Sequence, residues 1–302
     1  MIEFFDTHCH IHEITAPESG LHKKWHSDGV ARTAESVLQA ARAAGVSRLI
    51  VVGTTLEDSE LAVQFAQAHE NVWAAVGMHP HEAKKYTTTQ KTISGGLSSQ
   101  DDCGGGAARV LPEAAARFRE LVVEPKVVAV GECGLDYYYR HASQAEQDAL
   151  LRFQIHVACE RDLPLSFHVR SSDATEQGWD AFGDFWKIYD SYQNVRGVLH
   201  SFTDTQANVE RALARGLYIG VNGIATFTKD EEQLVTYRTI PQQSLLLETD
   251  APFLTPQPFR GKICEPKHVV RTAEYLADLR DETLDQLACA TTTNAAELFN
   301  VK

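Results

Sequence analysis

Histidine and acidic side chains follow several short apolar runs in this sequence. The first run is followed by Asp6-Thr7-His8-Cys9-His10. In extended backbone, residues i and i+2 point the same way, so His8 and His10 can present two imidazoles to one metal ion. Taken alone, this spacing more often marks a pair of turn histidines.

A second acidic candidate lies in the stretch Val127 to Asp136, Val-Val-Ala-Val-Gly-Glu-Cys-Gly-Leu-Asp. Its small and β-branched residues predict a strand buried on both faces that ends at Gly131. Glu132 would then stand on the rim of a sheet or barrel, followed by a tight turn at Cys133 and Gly134. An isolated acid at such a place is usually a capping residue, so the interpretation depends on the other strand ends.

Those other ends carry residue types that bind metals. His168 follows one apolar run, His200 follows the next, and Asp250 lies just beyond the last. In a parallel barrel the carboxyl ends of all strands converge on one face, so these side chains would surround a single point. The sequence therefore predicts a metal site with the ligands His8, His10, Glu132, His168, His200 and Asp250.

Six ligands exceed what one ion usually takes from protein while leaving room for water. Two divalent ions bridged by one carboxylate fit better and suit hydrolysis. Glu132 is the natural bridge because a carboxylate has two oxygens to share, and Asp250 can hold an ion or accept a proton from water. We expect both to be catalytic. Arg170, two residues after His168, is either a phosphate clamp or one half of a surface ion pair.

The elements that must position these residues alternate between strand and helix. Eight apolar runs alternate with segments whose apolar residues recur every three or four positions. Eight such βα units predict a (βα)₈ TIM barrel formed by one domain over residues 1–302. An open doubly wound sheet is the alternative, but its usual Gly-rich phosphate loop is missing. The predicted strands are Ile2–Asp6, Leu49–Val52, Val72–Gly77, Val127–Gly131, Leu165–His168, Gly197–His200, Leu217–Val221 and Leu245–Thr249.

Two segments interrupt this pattern. Residues 13–33 are polar and predict a long βα loop over the active face. Residues 87–110 are rich in Gly, Ser and Thr and cannot bury enough apolar surface to offset their ordering entropy. We expect a flexible insertion there.

Composition limits the class of protein. The chain has 28 Lys plus Arg against 41 Asp plus Glu, a net charge of -13, which argues mildly against an extended nucleic-acid groove. Its six cysteines have no C-x-x-C spacing, which suits reduced thiols in a cytoplasmic protein. The sequence shows neither a signal peptide nor an apolar run long enough for a membrane span. We expect a cytoplasmic monomer that does not interact with membranes.

With these residues identified, the chain resembles the TatD family of metal-dependent deoxyribonucleases, within the amidohydrolase-like barrels. The resemblance covers nearly the whole chain except the two interrupting segments. It rests on Phe5-Asp6-Thr7-His8-Cys9-His10, Gly77-Met78-His79-Pro80-His81, Val130 to Tyr138, Phe167-His168-Val169-Arg170, His200-Ser201-Phe202-Thr203, Leu247 to Leu254, Arg260-Gly261-Lys262, Glu265-Pro266, and Thr293-Asn294 before Leu298-Phe299.

The resemblance implies hydrolysis of phosphodiester bonds, often as a 3′ to 5′ exonuclease on single strands. It implies one ion among His8, His10, Glu132 and Asp250, and a second among Glu132, His168 and His200, with His79 in the substrate cleft. Asp204 and Cys264 depart from the family pattern, as does the insertion at 87–110, and these departures bear on substrate preference more than on catalysis.

Three functions remain open at this stage. The first is a phosphodiesterase whose substrate is a single-stranded nucleic acid, DNA or RNA, with Arg170 or Arg260 contacting phosphate. The second is a hydrolase of a small amide, lactone or aminoacyl ester, including aminoacyl-tRNA, because many chemistries share this fold. The third, a metal-stabilised binder without turnover, is disfavoured because every expected ligand is present. Histidine ligands favour Zn²⁺, Mn²⁺ or Ni²⁺, whereas phosphodiester hydrolysis often uses Mg²⁺.

Overall fold

A computed structural model describes residues 2–89, 108–172 and 179–301 of the chain. Within these ranges ten strands form one large parallel sheet and one small antiparallel pair. The strands are β1 Phe4–Cys9, β2 Val46–Val52, β3 Val72–Val76, β4 Thr87–Thr89, β5 Ala108–Val110, β6 Val127–Asp136, β7 Leu165–Arg170, β8 Gly197–Leu199, β9 Tyr218–Val221 and β10 Leu245–Leu247.

The large sheet has the strand order β1-β2-β3-β6-β7-β8-β9-β10, and all neighbours are parallel. The chain beyond β10 returns to β1 and nearly closes the sheet. The backbone N–H of Asp250 donates to the carbonyl of His8 at 2.8 Å, and that of His10 donates to Ala251 at 2.8 Å. The predicted eight-stranded barrel is therefore confirmed.

Helices connect the strands, and polar caps fix where most of them begin. Ser143 and Glu146 form a reciprocal capping box at the start of the longest helix, and Thr283 with Gln286 does the same at the last one. The helices are α1 Gly20–Trp25, α2 Ala34–Ala43, α3 Leu56–Ala68, α4 Ala83–Tyr86, α5 Pro112–Leu121, α6 Gln144–Arg161, α7 Ala181–Tyr189, α8 Gln206–Leu213, α9 Glu231–Thr239, α10 Val269–Leu279 and α11 Leu284–Phe299.

The core has two layers because successive side chains of a strand face opposite sides of the sheet. Leu49 and Val51 face the helices and join the larger cluster, whereas Ile50 and Val52 join the smaller cluster inside the barrel. Leu298 and Phe299 of α11 pack into that smaller cluster and close one end of the barrel. The carboxyl ends of the strands are left for a functional site.

Several predicted boundaries were wrong. Strand β1 runs past Asp6 to Cys9, and β6 continues to Asp136 rather than ending at Gly131. The strand passes Glu132 with a register shift against β7 between Val130 and Cys133. Glu132 therefore projects from within an irregular strand and not from a turn. The reason is that Cys133 and Leu135 are fully buried and continue the pairing with the next strand.

The two interrupting segments differ from each other. Residues 13–33 include part of a 3₁₀ turn, Ile11–Thr15, as well as helix α1, so they are not a plain loop. Trp25 is buried there and donates its indole N–H to the carbonyl of His10 at 3.1 Å, which packs the segment against the strand ends as expected. Of the expected insertion at 87–110, the ends pair as β4 and β5, and residues 90–107 lie outside the described residues.

Two further observations concern cysteines and membranes. The five cysteines in the described ranges carry free thiols, in agreement with the prediction from their spacing. In those same ranges no helix combines the length and apolar character that crossing a bilayer requires.

Candidate metal centre

Glu132 lies at the centre of a ring of histidines at the carboxyl end of the barrel. Its Oε1 atom is 2.9 Å from His168 Nδ1 and 3.8 Å from His200 Nε2, and its Oε2 atom is 3.6 Å from His8 Nε2. The two oxygens of one carboxylate therefore face different histidines. This is the arrangement that a bridging ligand needs.

Asp250 brings the last strand into the same ring. Its Oδ1 atom is 3.3 Å from His10 Nε2 and 4.0 Å from His8 Nε2. Buried Asp6 fixes the approach of this segment, because its carboxyl group accepts hydrogen bonds from the Thr249 backbone N–H at 2.9 Å and the Thr249 hydroxyl at 2.6 Å. All six predicted ligands thus come together at one place.

Two buried acids hold histidines of this ring from behind. Asp136 Oδ2 lies 2.9 Å from His168 Nε2, which leaves Nδ1 facing Glu132. Glu248 Oε2 lies 3.0 Å from His200 Nδ1, which leaves Nε2 facing Glu132. A carboxylate beside one ring nitrogen accepts a hydrogen bond from the N–H of that nitrogen. The other nitrogen, which faces the site, then carries a lone pair.

The remaining two histidines have uncharged polar partners instead of carboxylates. His10 Nδ1 is 2.8 Å from the carbonyl oxygen of Val52, and His8 Nδ1 is 3.3 Å from the hydroxyl of Ser166. In all four rings the nitrogen that points away from the site thus lies within 3.3 Å of an oxygen atom. Histidines that ligate metals are usually oriented in this way.

The electrostatics of the site favour positive charge. Burial by itself would raise the pKa of Glu132, but His79, His168 and His8 hold it well below its usual value, so the carboxylate is ionised. Burial opposes protonation of His10 and His168, yet hydrogen bonds to Asp250 and to Asp136 and Glu132 raise the pKa of each to about 9. Burial and the neighbouring His200 lower the pKa of His8 instead.

These residues fit divalent cations. His8 Nε2 is buried and has no hydrogen-bond partner, although it points at two carboxylates. Ligand atoms within 4.8 Å of one another form the overlapping groups His8-His10-Glu132, His8-His200-Asp250 and His79-Glu132-His168. A mixed imidazole and carboxylate donor set suits Zn²⁺, Mn²⁺ or Ni²⁺, and its carboxylates also suit Mg²⁺.

The three predicted substrate residues lie in different places. His79 is next to the ring, with Nε2 3.4 Å from Glu132 Oε1, and burial lowers its pKa to about 4. The Arg170 guanidinium lies on the ring of Tyr138, 4.1 Å from its centroid, and forms no ion pair with a carboxylate in the described ranges. The guanidinium of Arg260 lies 3.6 Å from the centroid of Phe227 and not in the histidine ring.

Sequence reasoning missed the acids that orient the histidines, Asp136 and Glu248, and the hydroxyl of Ser166. Their spacing of two or four residues from the predicted ligands is the signal that could have indicated them. Asp136 lies four residues after Glu132, Glu248 two before Asp250, and Ser166 two before His168. Residues spaced in this way share one side where the chain is extended, as it is from Ser166 to His168 in β7.

The two departures from the family pattern lie outside the ring. Asp204 Oδ1 accepts hydrogen bonds from Thr205 N and Asn208 Nδ2, both at 2.7 Å, at the start of α8. Cys264 is buried, and burial raises the pKa of its thiol well above the usual value. Neither side chain is among the groups that could hold a cation in the described ranges.

Comparisons with known proteins agree on one family. The sequence profile described as TatD related DNase matches residues 5–300. The chain is 31% identical over 297 residues to an uncharacterized metal-dependent hydrolase, YabD, of Bacillus subtilis, covering 98% of this chain and 99% of that one. It is 34% identical over 275 residues to the 3′-5′ ssDNA/RNA exonuclease TatD of Cronobacter sakazakii, covering 88% and 91%. The crystal structure of YjjV, a TatD homologue of Escherichia coli, superposes with a TM-score of 0.76 at 28% identity, covering 100% of this chain and 99% of that one.

Proposed function

Because the chain belongs to the family of TatD-related DNases, we propose that it is a 3′ to 5′ exonuclease that removes nucleotides from single-stranded DNA and also acts on RNA. Family membership makes it a metal-dependent hydrolase of ester bonds. The observation that carries the finer proposal is the position of Glu132, whose two oxygens face separate histidines.

Two divalent cations would be held by the six predicted ligands, His8, His10, Glu132 and Asp250 around one and Glu132, His168 and His200 around the other. When bound, such ions polarise the phosphoryl oxygen and make water a stronger nucleophile. Asp250 supplies the proton acceptor for that water. Neighbouring His10 and His200 lower its pKa despite burial, so the carboxylate is ionised. We propose Mg²⁺ or Mn²⁺ in function, with Zn²⁺ and Ni²⁺ as ions that the histidines also accept.

Substrate binding is proposed for His79, Arg170 and Arg260. His79 is neutral because its pKa is lowered to about 4 by burial, so it can donate or accept a hydrogen bond beside Glu132. Arg170 and Arg260 present planar guanidinium donors suited to phosphate oxygens. Such local positive charge would offset the net charge of -13. We propose that the protein acts in the cytoplasm, which the free thiols of the described ranges support, and that it is a monomer.

The test is a time course on a 5′-labelled single-stranded oligonucleotide with Mg²⁺, Mn²⁺ or chelator. Wild type should give a shrinking ladder that requires metal, and Glu132→Gln should abolish it. Glu160→Gln is the control, since Glu160 pairs with Arg119 and, at 3.3 Å, with His156 on the surface of α6 and lies outside the site. Intact oligonucleotide with every metal, from protein shown to contain metal, would instead favour a hydrolase of small amides, lactones or aminoacyl esters.

A further inference from the structure

An exposed aromatic surface adjoins the metal centre and has no role in holding it. Tyr138 and Tyr139 directly follow β6 and are 43% and 51% exposed. His141 lies close to parallel with Tyr139, at 5.9 Å between centroids and 11° between planes. The guanidinium of Arg170 lies 4.1 Å from the centroid of Tyr138 and 5.0 Å from that of Tyr139. We call Tyr138, Tyr139, His141 and Arg170 the aromatic rim.

The aromatic rim is fixed relative to the metal centre by one carboxylate. Asp136 Oδ1 accepts hydrogen bonds from the backbone N–H groups of Tyr138 at 3.0 Å and Tyr139 at 2.9 Å. Its other oxygen lies 2.9 Å from His168 Nε2 and 3.0 Å from His81 Nε2. The side chain that orients a histidine of the metal centre thus also sets the position of the two tyrosines.

The chemistry of the aromatic rim suits a nucleobase with its phosphate. Exposed tyrosine rings offer π faces on which any base can stack, and a guanidinium plane stacks on bases in the same way. Arg170 also has donors free for a phosphate oxygen, because in the described ranges it forms no ion pair with an acid. The chain as a whole has a net charge of -13, so the positive charge of Arg170 beside the metal centre contrasts with the rest of the molecule.

We propose that the aromatic rim is a stacking subsite for an unpaired nucleobase within the last three nucleotides at the 3′ end of the substrate strand. This proposal rests on the proposed function. It adds that the enzyme gains affinity from the base as well as from the phosphate. The subsite does not select which base is bound. Duplex ends, whose bases are already stacked and paired, are excluded from the subsite until they fray.

The test compares kcat/KM for oligonucleotides that carry a base or an abasic residue at each of the three 3′-terminal positions. Wild type should lose about tenfold to a hundredfold at one position, the usual range for base stacking on an aromatic ring. Tyr139→Ala should lose a similar factor on normal DNA, and the abasic residue should then cost it little more. Tyr139→Phe keeps the ring and should retain most of the preference for a base.

Val123→Ala is the control, because Val123 is 56% exposed, much as Tyr139 is, and lies between α5 and β6, at the amino ends of the strands away from the site. Tyr138→Ala provides a second variant if Tyr139→Ala folds poorly. The inference would be overturned if the losses of kcat/KM caused by Tyr139→Ala and by the abasic residue multiplied. It would also be overturned if an abasic residue cost nothing at any of the three positions. In both cases the exonuclease proposal stands. A wild-type enzyme that degrades no oligonucleotide would overturn both.

Discussion

Glu248→Gln tests whether an orienting carboxylate controls the metal centre. Glu248 is buried at 1% exposure and makes two contacts, Oε1 at 2.6 Å from Ser201 N and Oε2 at 3.0 Å from His200 Nδ1. The carboxylate packs directly against Gly220, where even an added methyl group would overlap it. Glutamine therefore has to occupy the same volume with one acceptor and one donor.

The orientation of that glutamine is dictated by Ser201. The backbone N–H of Ser201 needs an acceptor, so the amide oxygen takes that side and the NH₂ group faces His200 Nδ1. Nδ1 must then accept, the ring proton moves to Nε2, and the nitrogen facing Glu132 loses its lone pair. Loss of such an orienting partner typically costs tenfold to a hundredfold in metal affinity, about 1.4 to 2.7 kcal/mol.

The assay is a chelator competition titration with Mn²⁺ or Zn²⁺, accompanied by the rise in melting temperature on adding the metal. Wild type should be stabilised by metal through binding to the folded state alone, and Glu248→Gln should need higher metal concentrations for the same rise. Glu160→Gln, which changes a surface carboxylate paired with Arg119 and His156, should match wild type in metal affinity. If the Glu248→Gln variant bound metal as tightly as wild type does, the proposed role of the His200 tautomer would be refuted.

Two further predictions concern stability. Burial, with the charge of Lys267, lowers the pKa of His268 from 6.5 to about 4, so between these values the unfolded chain binds more protons and stability should fall as the pH drops, by up to about 3 kcal/mol. Urea denaturation at pH 7.5 and 4.5 should show a smaller difference for His268→Asn, and an unchanged difference would contradict this origin. Gly134→Ala should lower the free energy of unfolding by more than about 3 kcal/mol, because its φ is +150° and a Cβ there would overlap the carbonyl of His168. Gly20→Ala, where a Cβ meets no atom within 4 Å, should stay within about 0.5 kcal/mol of wild type, and similar losses for both would contradict the packing argument.

The barrel could be predicted from sequence because its strands are buried on both faces. Runs such as Val72–Val76 are short and apolar and stand out between amphipathic helices. The resemblance to the TatD family, inferred from the segments around His8, Glu132 and Asp250, was confirmed by the family match over residues 5–300. The residue types and their positions at the strand ends were enough to predict that the six ligands lie together.

The local geometry was harder to predict. The course of β6 beyond Gly131 depends on pairing with β7, and a tertiary contact of this kind leaves no periodic signal in the strand itself. The roles of Asp136 and Glu248 depend on which histidine nitrogen each faces, which only the assembled barrel defines. The assignment of ligands to two separate ions remains a prediction, as does phosphate binding by Arg170 and Arg260.

The seam between the first and last strands has a consequence for biosynthesis. His8 and His10 are translated long before Asp250 and the backbone groups that pair with them. A ribosome-bound fragment that lacks the last strand therefore has an open barrel and an incomplete ligand set. For an enzyme proposed to degrade nucleic acid strands, activity would begin only after the segment that carries Asp250 has been made and has paired with the first strand.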